Sequence, residues 1–561
     1  MYTFVRAMGV GGAALLAAAP SVAQQPPPSV PGTVEPGKAT NPNQLQQAPK
    51  PPEAKLQFSF PAQRKSTGGK SSDDLKFPVK RVLVEGATIV GPDFWDPLIA
   101  PLLTRRISLP EVVAVADAIQ ARYVAKGYPL TRAFVPPQEI EDGTVRIKVV
   151  EGYVGKVQVD GASPDTAERL KDFLAPPQAE RPTRAATIER SLLLAGDLPG
   201  VVVGGVLRPG DQPGMAELAL TVTETPYAVS VGGGNRNSRF AGPWTFFADA
   251  AANSALGWGE QIGLTASATP DLSESRSLAL RYLQPVNADG LSLATTLNYS
   301  RGRPGAGLQT FAVRTTSMAA GQRLSWPLLR TRRQNLVLEA GWTAQEARID
   351  LLGERFSTDV WRTADFRVSF SEAGFLGGGT VLTAALVQGL DVLNATPAGS
   401  MSASRLDPDP RFTKLSAEMQ RLQALPKGAL LVIGVAGQYT RDVLFSGEEF
   451  GLGGARFGRG YNASDLSGGN GFGATAELRR TFQFEMPYLA SATPYAFFDW
   501  GRVWRSETAN TLLRSAGGGV RLDFAPGRSA TLEVARPLRN LPVPGAQDPG
   551  TRFYLELAAS L

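Results

Sequence analysis

The side chains from which an enzyme builds a site are scarce in this 561-residue chain. Histidine is absent, which removes a Ser-His-Asp triad, a histidine metal site and imidazole acid/base chemistry. Cysteine is absent as well, which fits an oxidising compartment without disulfide staples. No G-x-S-x-G nucleophile elbow occurs. Gly69-Lys70-Ser71 resembles the end of a phosphate loop, but Arg64 stands where that loop needs its first glycine. Gly458-Arg459-Gly460-Tyr461-Asn462-Ala463 formally fits a dinucleotide-binding G-x-G-x-x-A, yet it follows a glycine-rich run and opens no helix. No catalytic residue, metal site or cofactor is therefore expected. The remaining chemistry is charge pairing. Arg459 sits among glycines in the stretch Phe450 to Tyr461 and needs an anion, and the best candidate is Asp499 in Phe497-Phe498-Asp499-Trp500-Gly501. An exposed pair there would contribute under ~1 kcal/mol, whereas in a buried one the loss of either partner strands the other charge at roughly 3–5 kcal/mol.

Asp499 can meet a loop only if its strand turns it inward. Phe497, Asp499 and Gly501 share one strand face because side chains alternate with a period of two. The same alternation fills the chain from 227 to 561. Ile262, Leu264, Ala266 and Ala268 oppose Gln261, Gly263, Thr265 and Ser267, and Leu336, Leu338, Ala340 and Trp342 oppose Val337, Glu339 and Gly341. A soluble β-sandwich also buries one apolar face. Short turns such as Pro285 to Gly290, alternating with long Gly/Ser/Arg-rich loops, favour a transmembrane β-barrel, and the length suits roughly 16 strands of about ten residues. Sixty glycines and 19% charged residues agree with a turn-rich β protein. The net charge of +6 is small and carries no dense basic block, so nucleic acid is not an expected partner.

Residues 1–23 have the form of a secretory signal peptide: Arg6, an apolar run from Met8 to Ala19, and Ser21-Val22-Ala23 as the cleavage site. Residues 24–75 form a Pro-rich linker whose composition cannot bury enough apolar surface to fold. Two small α/β modules follow, 76–153 and 154–226, each reading β-α-α-β-β. In the first, Pro92 to Leu103 is a candidate helix, and a second helix starts at Ser108 with Glu111 as its capping box and Val112, Val115, Ile119 and Tyr123 on one face. In the second, helices are expected from Ser163-Pro164 and from Thr183 to Ala195, with closing strands at Val201 to Leu207 and around Leu218 to Val222.

In this order the segments resemble the two-partner-secretion outer-membrane transporters, the haemolysin activators and filamentous-haemagglutinin transporters. The motifs that carry the resemblance are Gly127-Tyr128-Pro129-Leu130-Thr131-Arg132-Ala133, Gly143-Thr144-Val145, Val150-Glu151-Gly152, Leu198-Pro199-Gly200-Val201, Phe450-Gly451-Leu452-Gly453-Gly454 with Arg459-Gly460-Tyr461, and Phe497-x-Asp499-x-Gly501. The resemblance implies a mainly β protein: a sixteen-stranded outer-membrane barrel over 227–561 preceded by two periplasmic polypeptide-transport-associated (POTRA) domains. It further implies that Arg459, Gly460 and Tyr461 form the tip of a loop folded into the lumen, and that Arg459 pairs with Asp499. The chain departs from the family in Gly458 before the arginine, in Arg456 as a nearby competitor for the carboxylate, in Leu561 where the last strand usually ends in Phe, and in prolines 49, 51 and 52 across the Asn43 to Leu56 stretch where a plug helix would lie.

The function implied is translocation of a partner exoprotein, of adhesin or haemolysin type, from periplasm to cell surface in a Gram-negative-type cell. Its partners would be that unfolded exoprotein, outer-membrane lipid, and the barrel assembly machinery for its own insertion. The rival within the same architecture is a factor that inserts other barrels, which usually carries more POTRA domains; a diffusion porin, in which the two modules would be idle, is the third reading.

Overall fold

The structure is a computed structural model that describes residues 76–103, 105–306, 308–505, 508–524, 527–541 and 550–560. The expected signal peptide, the linker, the plug segment and Leu561 lie outside the described residues.

In the first module, Arg81–Glu85 runs parallel to Thr144–Val150, whose other edge carries Arg132–Phe134 antiparallel. Helix Leu109–Ala125 starts at Ser108, whose backbone N–H donates to Glu111 Oε2 at 2.7 Å, so the capping box forms. The helix turns Val112, Ala116, Ile119 and Tyr123 onto the sheet; Val115, expected on that face, is half-buried at its edge. Pro92 to Leu103 does not make one helix. It breaks into the short turns Pro92–Phe94, Asp96–Ile99 and Ala100–Leu102 because Pro97 and Pro101 lack the N–H a continuous helix needs. A pairing of Lys76–Pro78 with Arg106–Ser108 was not legible in the sequence.

The second module repeats the topology. Tyr153–Asp160 runs parallel to Met215–Glu224, and Val201–Pro209 lies antiparallel on the other edge of Met215–Glu224. Helices Pro164–Ala179 and Ala185–Gly196 bury Leu170, Phe173, Leu174, Ile188 and Leu192 against Leu218 and Leu220. Thr183 precedes its helix instead of opening it. Its buried hydroxyl donates to the Pro177 and Glu180 carbonyls and accepts the Val154 N–H at 3.0 Å.

The rest is a closed antiparallel barrel of sixteen strands, from Tyr227–Gly234 to Arg552–Ser560, with Asn470–Arg480 and Phe482–Gln483 forming one interrupted strand. The last strand pairs back on the first from Glu556↔Gly234 to Ser560↔Ser230. Closure removes the edge that an open sheet would present to lipid. Many outward positions are exposed and apolar, among them Leu264, Leu280, Leu324, Trp342, Phe366 and Leu386. The inward positions are polar and pair with one another, as in Thr265 with Asp249 and Arg323 with Asp365 at 3.0 Å. No helix among the described residues is long and apolar enough to cross a membrane.

The second module is seated on one rim of the barrel. Arg330 grips Asp197 bidentately, with Nε to Oδ2 at 2.7 Å and Nη2 to Oδ1 at 2.6 Å. The Arg332 N–H donates to Glu189 at 2.9 Å, and Arg190 donates to the Pro327 carbonyl at 3.0 Å. Helix Ala185–Gly196 thus bridges to the turns that join neighbouring strands, which fixes this rim as the module side of the molecule.

Candidate functional site: a buried ion-pair network on the barrel wall

The loop after strand Ala429–Thr440 does not extend away from the barrel. Phe450–Leu452 pairs antiparallel with Leu466–Gly468, and the chain between them folds back through Gly453 N–H to Phe457 O (2.7 Å) and Gly454 N–H to Tyr461 O (3.1 Å). The fold-back depends on Gly453: its φ of +104° is a left-handed backbone, and a Cβ there would strike the Asn462 carbonyl.

The folded loop presses Arg459 onto strand Ser491–Arg505. Asp499 is 0% exposed and Arg459 6%. The guanidinium reaches Asp499 through Nε to Oδ2 (3.2 Å) and Nη2 to Oδ1 (3.0 Å), and the backbone N–H of Arg459 adds a third donor to Oδ2 at 2.9 Å. A carboxylate bound by a planar fork and a loop amide fixes the backbone as well as the side chain. Each member of the Phe497-x-Asp499-x-Gly501 face has a separate role. The Phe497 ring lies 3.4 Å beneath the guanidinium carbon, Asp499 accepts, and Gly501 leaves room for Leu452, whose Cδ2 would lie 2.6 Å from a Cβ at that position. Gly460 lets the tip touch the wall, since a Cβ there would sit 2.6 Å from the Pro537 nitrogen. Tyr461 is 1% exposed and its hydroxyl donates toward the carbonyls of Arg514 (2.9 Å) and Arg539 (2.6 Å). Of the six residues singled out in the sequence, Arg459 lies on Phe497 and Asp499, whereas Gly460 and Tyr461 rest on the backbone of residues 514 and 536–539, and Gly501 faces Leu452.

The competitor does not compete. Arg456 turns away to pair with Glu418 and leaves the carboxylate to Arg459. The exposed-pair alternative fails on burial.

Sequence reading missed the rest of the network. Thr475 Oγ1 donates to Asp499 Oδ1 (2.7 Å), Ser515 Oγ to Oδ2 (3.0 Å), and Arg459 Nη1 reaches Glu477 Oε2 at 2.8 Å. Arg521 holds Glu477 from the other side at 2.7 Å. Glu533 accepts from Tyr495 (2.7 Å) and from Arg236 (2.8 Å), which also grips Glu556 at 2.7 Å, and Tyr554 donates to the Arg459 carbonyl at 2.8 Å. Strand pairing brings these groups together: Thr475 stands opposite Asp499, and Asp499 opposite Ser515. Glu477 shares its strand face with Thr475, and the cations that meet it come from Arg459 and Arg521, which only the register and the folded loop bring to it. The arrangement can hold a loop against the inner wall, or release it.

Comparisons with known proteins agree with this architecture. The family model described as "Haemolysin secretion/activation protein ShlB/FhaC/HecB" matches residues 214–522, and "POTRA domain, ShlB-type" matches 77–152. The heme/hemopexin transporter protein HuxB of Haemophilus influenzae is 23% identical over 498 residues, covering 83% of this chain and 85% of the relative. The outer membrane transporter CdiB of Escherichia coli O6:K15:H31 is 25% identical over 434 residues, covering 76% and 72%. The solved structure of CdiB from Escherichia coli superposes with a TM-score of 0.71 at 23% identity, covering 90% of this chain and 93% of that one.

Proposed function

This chain belongs to the haemolysin secretion/activation family and is an outer-membrane two-partner-secretion transporter that acts with a secreted exoprotein, and on that premise we propose how its parts divide the work. The exoprotein, of adhesin or haemolysin type, reaches the two modules unfolded from the periplasm. It docks by adding a strand to an exposed sheet edge, Arg132–Phe134 in the first module or Val201–Pro209 in the second, or by laying an amphipathic segment between helix and sheet. Because the second module is tied to the barrel rim through Arg330 and Asp197, a segment bound there is delivered to the lumen entrance.

The loop tip Arg459-Gly460-Tyr461 is a latch. The observation that carries this reading is the bidentate Arg459–Asp499 pair, buried on the inner wall and joined by the loop's own backbone. Releasing the latch frees lumen for the exoprotein, which folds outside; no catalytic step is needed, and folding at the surface supplies the direction. The lipid surrounding the barrel and the cell's barrel assembly machinery are the further proposed partners.

Deleting residues 76 to 226 tests the division of work. The expected result is a heat-modifiable barrel in the outer membrane with no export of a co-expressed exoprotein. Normal export from that variant would sink the proposal.

A further inference from the structure

The outer, lipid-facing wall carries a feature that translocation does not use. On neighbouring strands Ser275–Pro285 and Ser292–Gly302, Arg276 stands directly opposite Arg301. Alternation turns both outward, because Leu278 and Leu280 on the first strand and Leu297 and Tyr299 on the second share their faces and are exposed. Two like charges in direct register repel each other. Neither side chain has an ion-pair or hydrogen-bond partner among the described residues.

Immediately below the two arginines, toward the membrane midplane, lies a shallow groove of about 510 Å³. Its apolar lining includes Leu278, Leu280, Leu297 and Met318, and small side chains at Ala320 and Ala344 leave its floor open. At the groove's far end Arg362 gives its terminal nitrogens to the carbonyls of Gln345, Trp361 and Leu393, while its Nε is buried without a partner. Glu346 also lines the groove, and its charge is met by Arg348.

The depth is that of the outer leaflet. The second module occupies the opposite rim, next to Arg330. On strand Arg314–Arg330, Trp326 is exposed near that rim, and Thr316, paired with Arg301, lies about ten residues farther on. That separation is ~33 Å along a strand, or ~23 Å along the normal at ~45° tilt, close to the apolar band of ~25 Å. The stacked pair Trp244 and Phe246 marks the same outer level: Phe246 is joined to Arg276 through Ala268 in the register.

We propose that Arg276 and Arg301, with the groove beneath them, form a binding site for a phosphate-bearing lipid of the outer leaflet. The phosphate sits between the two guanidiniums and relieves their repulsion, and one acyl chain lies over Ala320 and Ala344. The test of this site uses purified full-length transporter without exoprotein, so its failure leaves the secretion reading untouched.

The transporter in detergent is titrated with bisphosphorylated lipid A, with the same lipid after dephosphorylation, and with inorganic phosphate alone, following binding by native mass spectrometry and by the shift in unfolding midpoint. Lipid A is expected to bind and to raise the midpoint; the other two probes are not. Arg276→Ala/Arg301→Ala is expected to lower lipid A affinity roughly tenfold or more, and Ala344→Phe to weaken it by filling the groove while both arginines remain. Both variants alter outward-facing positions, and heat-modifiable mobility confirms that the barrel is folded. Unchanged affinity in the double alanine variant, or equal binding of the dephosphorylated lipid, overturns the proposal; so does saturation of the effect by inorganic phosphate alone.

Discussion

Arg459→Ala isolates the latch, and its size follows from what each partner retains. Asp499 loses the Nε and Nη2 donors at 3.2 and 3.0 Å. It keeps the backbone N–H groups of residues 458 and 459 at 3.2 and 2.9 Å, and the hydroxyls of Thr475 and Ser515 at 2.7 and 3.0 Å. Glu477 keeps Arg521, and Glu533 keeps Arg236 and Tyr495. No carboxylate is stranded, so the cost falls at the low end of the ~3–5 kcal/mol typical of a broken buried pair, even with the stacking on Phe497 counted. At ~3 kcal/mol the latched-to-released ratio falls roughly a hundredfold. Hydrogen exchange over residues 450–468 of the purified barrel should therefore accelerate by about that factor, while strands remote from the loop stay protected and export falls. Arg459→Asp combined with Asp499→Arg should restore only part of the protection, because an arginine at 499 can pair with the new aspartate but cannot accept the two loop N–H groups. Unchanged loop exchange together with normal export in Arg459→Ala refutes the latch and leaves the barrel assignment standing.

Other consequences are open to measurement. Gly460→Ala places a Cβ against the backbone of Pro537 and Arg536 and should displace the tip at a cost of ~1–3 kcal/mol, seen as protease cleavage within 450–468; a loop as resistant as the parent would argue against the close approach. Arg330→Ala removes both bonds to half-exposed Asp197 and should loosen the second module from the rim with little loss of barrel stability, detectable as a broadened distance distribution between spin labels on module and barrel. In the first module, burial raises the Glu151 carboxyl, but the Thr88 hydroxyl and N–H, the Ile89 N–H and the Tyr123 hydroxyl outweigh it and hold the group below its ordinary value. A depressed carboxylate contributes stability above its unfolded pKa of ~4.3, and loses that contribution as pH falls through the lower folded value. Hydrogen-exchange protection of the Tyr123 region should accordingly fall off below about pH 4.3, and Glu151→Gln should lower it at neutral pH while flattening the acid dependence; an equally steep acid loss in the variant would assign the transition to another group.

Much of this was determined by local sequence. Strict alternation over 227–561, with short turns alternating with long loops, points to a barrel, whose strands offer one face to lipid and the other to a wet lumen. The Ser108 and Ser163 caps and the apolar faces behind them specify two repeated modules. The latch pair was legible through the resemblance: an arginine among glycines and an inward aspartate each call for a counter-charge, and the family motif Arg459-Gly460-Tyr461 singles out Arg459, which the local charges alone do not. What local pattern could not reach depended on register and on distance in sequence. Thr475 and Ser515 became part of the site only when strand pairing set them opposite Asp499, and Glu533 only when pairing through Gly519 set it beside Tyr495; nothing within those strands records which neighbour they face. Arg456 and Arg459 are equivalent as sequence; the left-handed turn at Gly453 and the close approach at Gly460 sent one to the wall and the other to Glu418. The paired outward arginines at 276 and 301, 25 residues apart in the chain, likewise became a feature only when the register of their hairpin set them opposite each other.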